Sequence, residues 1–556
     1  MATTASGLAD ELLDAFFDAE PGAATLAGIH DRDDRLADHS EAGREAVRAR
    51  VADIAARAEA LDPGALDATD RVTGAVVVQQ AKAILDRLAS RAVEYTVTDT
   101  FAAPATELLF LLPMTGIAER SHADAYLARL ARIPEVLAAI ADRHRSGITA
   151  GRLPVRHLVQ AAVAHLDRYL SDRDNDPLRR PKPPAEAAGA FDAERDRLLD
   201  ELVRPAFARY RDVLATEVLP HGRPADRAGL CWLPDGAATY ARLVRVHTTT
   251  DRSPQELHRT GLDIVAGLAR EYAEIGAAEF GTRDVAEIFT RLRNDPALRW
   301  KDGEELLTAA RAAISRAEAA APRWFGRLPG QRCVVEAVPA AEAPGAPGAY
   351  YNAPALDGSR PGTYFANTHR AEERNRYSSE ATAFHEAVPG HHFQQVLAQE
   401  LTDLPLLRRL APFTAYDEGW GLYAERLADE MGLYSDPIAR LGMLSADSIR
   451  AARLVVDTGL HTMGWSRQQA VDYLRDNTAM SQVEIDSEVD RYIADPGQAL
   501  AYMVGRLEIQ RIRAAAEQAL GDRFDIRSFH DTVIGSGPVP LRVLGEIVEA
   551  WVAGHR

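Results

Sequence analysis

Apolar residues recur three and four positions apart through most of this 556-residue chain, and a chain with that rhythm is committed to amphipathic helices packed face to face. From residue 7 to about 172 the pattern is helical, as in ADAYLARLARIPEVLAAI from Ala123 to Ile140, which resumes after Pro134. The run DPLRRPKPP from Asp176 to Pro184 breaks it and reads as a loop or a junction between subregions. A long helix is expected from Ala190 towards Val218. At DRSPQEL a helix should start, with Ser253 as cap, Pro254 in the first turn and Glu256 closing a capping box. Only between Pro329 and Asn367 does the period change. There VVEAVP, GAYYNAP and GTYFANT set β-branched and aromatic residues between Gly and Pro, which predicts a small β-sheet at about 330–368. After Ala383 the helical period returns and runs almost to Arg556. The expected fold class is therefore mainly α, with an N-terminal helical region over 1–185 and a catalytic region over 186–556.

Bulk composition narrows the partners. The balance of 64 Lys+Arg against 82 Asp+Glu leaves a formal charge of -18, which repels phosphate backbones and anionic lipid, so neither nucleic acid nor a membrane is an expected partner. Cys231 and Cys333 are the only cysteines, too few for a disulfide framework or a thiolate metal site. Any metal must use His, Asp or Glu. Asp10, Glu11 and Asp14 interrupt the first apolar stretch, unlike the core of a signal peptide, and no later run is long enough to span a bilayer. The expected location is cytoplasmic.

The chemistry concentrates in FHEAVPGHHFQQ, residues 384–395, which holds His385, Glu386, His391 and His392 in a chain with 16 histidines. Zinc hydrolysis needs three protein ligands, an open position for water and a carboxylate to take the water's proton. HExxH supplies two ligands and the base from one helix face. Here the second His is six or seven residues after His385, roughly 9 to 10.5 Å along a straight helix, too far to share an ion. The two extra positions are filled by Pro389 and Gly390, residues that break or bend a helix. Such a bend returns His391, with His392 as the alternative, to the ion and leaves Glu386 as base. YDEGWGLYAERL, residues 416–427, offers the third ligand: Glu418 lies 32 positions after Glu386, at the start of another helix. Glu425, on the same face, is a candidate to orient a ligand histidine. The plainer alternative is that both are solvated surface carboxylates.

These segments resemble the bacterial domain-of-unknown-function family 885, itself similar to gluzincin zinc peptidases. The resemblance extends through LPDGAATYARLVRVHTTTDRSPQELHRTGL (233–262), GTYFANT (362–368), DTGLHTMGWSRQQA (457–470) and RYIADPGQALAYMVGR (491–506). It implies an α-rich body of the neurolysin or carboxypeptidase kind with a deep cleft, metal-site helices at about 380–510, and Glu418 as the ligand supplied by an NEGF-like segment. It also implies that Tyr502 stabilises the oxyanion of the transition state. His461, four residues after Asp457 on an expected helix, is the other candidate for that role, held by the Asp457 carboxylate. Strand aromatics Tyr351 and Tyr364 are candidates to contact an extended substrate, and Arg491 and Arg506 to receive its carboxylate. The expected protein is a Zn2+ hydrolase of short peptides, with His385, His391 and Glu418 as ligands and Glu386 as base. Its rivals are an amidase acting on a peptide-like metabolite and a ligand-binding protein without catalysis.

Overall fold

A computed structural model of the chain describes residues 4–340, 343, 346–358 and 360–556. It divides into two compact units. The first comprises residues 1–243, 460–468 and 490–496; the second comprises 244–459, 469–489 and 497–556.

The first unit is helical. It opens with α1 (Ala5–Ala19), α2 (Glu41–Glu59) and α3 (Ala68–Ser90), capped by the side chains of Thr4, Ser40 and Asp67. One of its cores gathers Tyr126, Leu130, Ile133, Leu137 and Ile140 of α4 (Arg120–Thr149) with Val159, Ala162 and Leu166 of α5 (Arg156–Ser171). Pro134 sits inside α4 without ending it. The helix expected from Ala190 to Val218 is present as a continuous run over 188–218, widened by two π turns. It buries Phe191, Leu198, Val203 and Phe207 in that same core.

This corrects the boundary expected at residue 185. The proline-rich stretch is a loop inside the unit: Leu178 is fully buried, its carbonyl accepts from the Tyr126 hydroxyl at 2.8 Å, and Asp176 accepts from Tyr169 and Arg204. Prolines end helices, but they do not stop the apolar residue between them from being covered.

The second unit holds the sheet and the candidate site. Its helix α6 (Pro254–Glu279) starts with the expected capping box, Ser253 and Glu256 satisfying each other's backbone N–H groups. After α7 (Gly303–Ala320) come β1 (Val334–Ala337), β2 (Ala349–Asn352) and β3 (Thr363–Ala366), in the order β1-β3-β2. β1 runs parallel to β3, Val334 opposite Thr363, and β2 runs antiparallel to it, Tyr351 opposite Tyr364. The expected small sheet is therefore present, and Asn367 ties its end down by donating to the carbonyls of Ala343, Ala346 and Pro347.

Beyond the sheet lie α8 (Ser379–Glu386), α9 (His391–Gln399), α10 (Thr414–Glu430), α11 (Pro437–Thr462) and α12 (Ala501–Leu520). Most of α10 is covered, with Tyr416, Trp420, Leu422, Tyr423 and Leu427 all buried. It crosses α12 where Gly419 meets Gly505: a Cβ on Gly505 would lie 1.8 Å from the Ala415 carbonyl oxygen. No helix among the described residues is long and apolar enough to cross a membrane.

Gly505→Ala is expected to force the two helices apart at a cost of about 1–3 kcal/mol, seen as a lower Tm by circular dichroism. Gly267→Ala, within α6 and facing no atom inside 4 Å, should hold or raise the Tm, by up to about 1 kcal/mol of helix propensity.

Candidate metal centre

The local sequence explains how two histidines six residues apart come together. α8 stops at Glu386 because Pro389 has no N–H to donate and disfavours helical geometry at Val388. The chain turns back so tightly that a Cβ on Gly390 would lie 1.8 Å from the His385 carbonyl oxygen. Helix α9 then begins at His391. The Trp420 indole N–H donates to the Pro389 carbonyl at 2.9 Å and fastens this turn to α10.

As a result, one ligand atom each from His385, His391 and Glu418 lies within 4.8 Å of the others. Glu418 Oε2 is 3.4 Å from His385 Nε2 and 3.4 Å from His391 Nε2. The two imidazoles stand nearly perpendicular, at 87°, with centroids 4.7 Å apart. Donors held about 2.0–2.2 Å from a tetrahedral ion are separated by roughly 3.3–3.6 Å, so the spacing fits one small divalent ion. Two imidazoles and one carboxylate also match the donor set of open zinc sites.

Behind the cluster, His385 Nδ1 and Glu425 Oε1 are 2.8 Å apart, with Glu425 only 1% exposed. In the neutral ring that contact keeps the proton on Nδ1 and leaves the Nε2 lone pair facing the cluster. Gly421 leaves space for the His385 ring, which a Cβ there would approach to 2.7 Å. His391 Nδ1 is enclosed and has no hydrogen-bond partner among the described residues. Burial opposes a charge on His385, but Glu418 and Glu425 together outweigh it and push its pKa up to about 10. Burial likewise works to raise the Glu418 pKa, and the two histidines overcome it, holding the carboxyl well below its usual range.

Glu386, the last residue of α8, is partly exposed and accepts no hydrogen bond from any described residue. Its charge reaches the cluster's surroundings, adding to what burial does in raising the Tyr364 pKa. The Tyr502 ring lies 6.4 Å from that of His385 at 22°, with the guanidiniums of Arg453 and Arg450 at 4.6 and 5.8 Å from its centre.

Several expectations are corrected. His392 is not the second member of the cluster: Nδ1 is 3.0 Å from the Tyr351 hydroxyl and Nε2 donates to the Gln331 carbonyl at 2.9 Å. His461 belongs to the first unit, where Nδ1 accepts from the Leu230 N–H and Nε2 donates to the Tyr492 carbonyl. Burial lowers its pKa to about 4, and with both nitrogens occupied by backbone it is a structural histidine. Asp457 does not hold it; that carboxylate accepts from the Gly497 N–H. Arg506 is buried in an ion pair with Asp447, and Arg491, in the first unit, lies over the Tyr492 ring. Tyr364 is buried within β3, so of the two strand tyrosines only Tyr351 is even partly accessible.

Sequence reasoning missed Trp420, Arg450 and Arg453. A signal for the arginines was present: they sit three apart on an otherwise apolar stretch of α11. A second group, His30, Asp33 and His122, also brings three donors within 4.8 Å. Its two rings are stacked, 4.2 Å apart at 21°, so their in-plane lone pairs run side by side instead of converging, and His30 Nδ1 already contacts Asp33 at 2.8 Å. That group reads as a packed polar contact.

The fold and cluster thus define a mainly helical protein of two compact units whose second unit carries a converging His, His, Glu set. The chain belongs to the family described as bacterial protein of unknown function, DUF885, whose model matches residues 21–548. Two similar solved structures are both described as putative lipoproteins. One, from Colwellia psychrerythraea, is 28% identical with a TM-score of 0.91 and full coverage of both chains. The other, from Shewanella oneidensis and of unknown function, is 18% identical with a TM-score of 0.76, covering 99% of this chain and 100% of its own, and shows the fold alone. No curated protein matches the chain.

Glu425→Gln keeps the shape of the side chain but weakens its hold on His385. It is expected to lower divalent metal affinity about 10- to 100-fold, measured by competition with a chromophoric chelator.

Proposed function

We propose that this protein is a zinc-dependent hydrolase of the gluzincin-like kind that cleaves peptide bonds in short peptides. The observation that carries the reading is the pair of 3.4 Å contacts from Glu418 to two mutually perpendicular imidazoles, with Glu425 behind one of them. His385, His391 and Glu418 would hold the ion, which when bound acidifies a water and polarises the substrate carbonyl.

The remaining steps belong to side chains. Glu386, which accepts no hydrogen bond from any described residue and ends the helix that carries His385, takes the proton of the attacking water on its carboxylate and passes it to the departing amine nitrogen. Glu425 keeps the His385 ring in a single tautomer throughout, so the ligand does not turn as charge moves. Tyr502, beside that ring, is the candidate to donate its hydroxyl proton to the oxyanion of the tetrahedral intermediate. The reading carries with it a cytoplasmic setting and no nucleic-acid or membrane partner.

Purified protein is expected to contain about one equivalent of zinc, lost in His385→Ala and Glu418→Ala. Glu386→Gln should keep the metal while turnover of a mixed peptide library falls roughly a hundred- to ten-thousandfold. A metal-free native protein, or a Glu386→Gln variant with undiminished turnover, ends the proposal. Inertness towards every peptide in a fully loaded protein would instead favour a peptide-like metabolite as substrate.

A further inference from the structure

We infer that Arg450 receives a carboxylate of the substrate, so that the site is built for peptides carrying a negative charge next to the bond to be cut. The inference rests on the peptidase reading above and specifies its substrate class.

Arg450 is an exception among its neighbours. Arg453 pairs with Glu488 at 2.9 Å, Arg506 with Asp447, and Arg426 with both Asp447 and Glu271. Arg450 donates no hydrogen bond to any described residue, although its side chain is only 19% exposed and its Nε is fully enclosed. The nearest acid, Glu425 Oε1, is 3.8 Å from Nη2, and that oxygen is already engaged by His385 Nδ1 at 2.8 Å. Of the five N–H donors of this guanidinium, the one on Nε is enclosed without an acceptor among the described residues, while those on the two Nη atoms are neither enclosed nor hydrogen-bonded to any described residue. An acceptor that arrives with a ligand can pair with the Nη donors, and a carboxylate matches their fork geometry.

Its position suits such a ligand. The guanidinium is one carboxylate away from the His385 ring and lies over Tyr502, the tyrosine that flanks the same ring. From a scissile carbonyl carbon to the carboxylate carbon of the following residue is three bonds, at most roughly 4 Å. A peptide with its carbonyl at the metal cluster and one residue beyond it thus brings a carboxylate into this neighbourhood. Arg506, the sequence's candidate for the role, is closed off by Asp447.

The test uses the full-length, zinc-loaded protein in a Glu386→Gln background, so that peptides bind without turnover. Acetylated tripeptides are titrated by calorimetry in three forms: the C-terminal acid, the same sequence as its amide, and an amide ending in Glu. The acid is expected to bind roughly tenfold or more tightly than the plain amide. Adding Arg450→Gln should reduce that preference to within about twofold, while Arg450→Lys should keep part of it. Zinc content and Tm, followed in each variant, confirm that the fold is intact. Tight binding of the Glu-ending amide extends the inference to side-chain carboxylates; its failure restricts recognition to the terminal one. Equal binding of acid and amide by the parent, or a preference that survives Arg450→Gln, overturns the inference. So does an equal loss for acid and amide together with lost zinc, which reduces Arg450 to a counter-charge for Glu425. If the native enzyme cleaves acids and amides alike, the peptidase reading stands and this inference alone falls. If no peptide binds the loaded protein, the peptidase reading falls first and takes this one with it.

Discussion

The reversal of the chain at Pro389–Gly390 is the constraint on which the centre depends. A continuous helix would carry His391 nearly two turns beyond His385, on a different level of the same rod. Ending α8 at Glu386 and starting α9 at His391 converts that axial separation into a sideways approach, and the rings meet at right angles. The turn is held from outside by Trp420, whose indole N–H reaches the Pro389 carbonyl, two residues after Glu418 on the same helix. One helix therefore supplies both the third donor and the brace that brings the other two into range.

Charge around the centre is arranged in concentric fashion. Glu418 faces two imidazoles, and Glu425 stands behind one of them, so His385 lies between two carboxylates. Outside this, the arginines of α10, α11 and α12 neutralise Asp447, Glu271 and Glu488. Burying so many ionised groups is tolerable only where each finds a partner, because an uncompensated buried charge costs several kcal/mol. That Glu418 and Glu425 outweigh burial and draw His385 towards its charged form reflects how strongly the surroundings call for positive charge there.

Much of this was legible in the sequence where one local rule decides the outcome. The capping box at Ser253 and Glu256, the three short strands between Pro329 and Asn367, and the break at Pro389 follow from nearest-neighbour chemistry, and all are present. Glu418 and Glu425 could be paired from their helical spacing once the turn was granted. The misreadings came from contacts between residues far apart in the chain. His461 is filled by the backbones of Leu230 and Tyr492, and Arg506 by Asp447, 59 positions before it. The junction placed at residue 185 failed for the same reason: Leu178 is covered by residues that come both before and after it in sequence. The sequence favoured His391 and kept His392 as the alternative, and in the fold Tyr351 and Gln331 occupy the latter.

The immersion of α10 in the protein interior has a further consequence. A side chain carried on a surface loop can be altered or shifted while the scaffold stays as it was, whereas Glu418 rides on a rod wedged against α12 with backbone touching backbone at Gly419 and Gly505. Close-packed interiors transmit displacement. Substitutions in the apolar half of α10, remote from the cluster, will therefore surface as shifts of Glu418 relative to His385 and His391 as much as in folding.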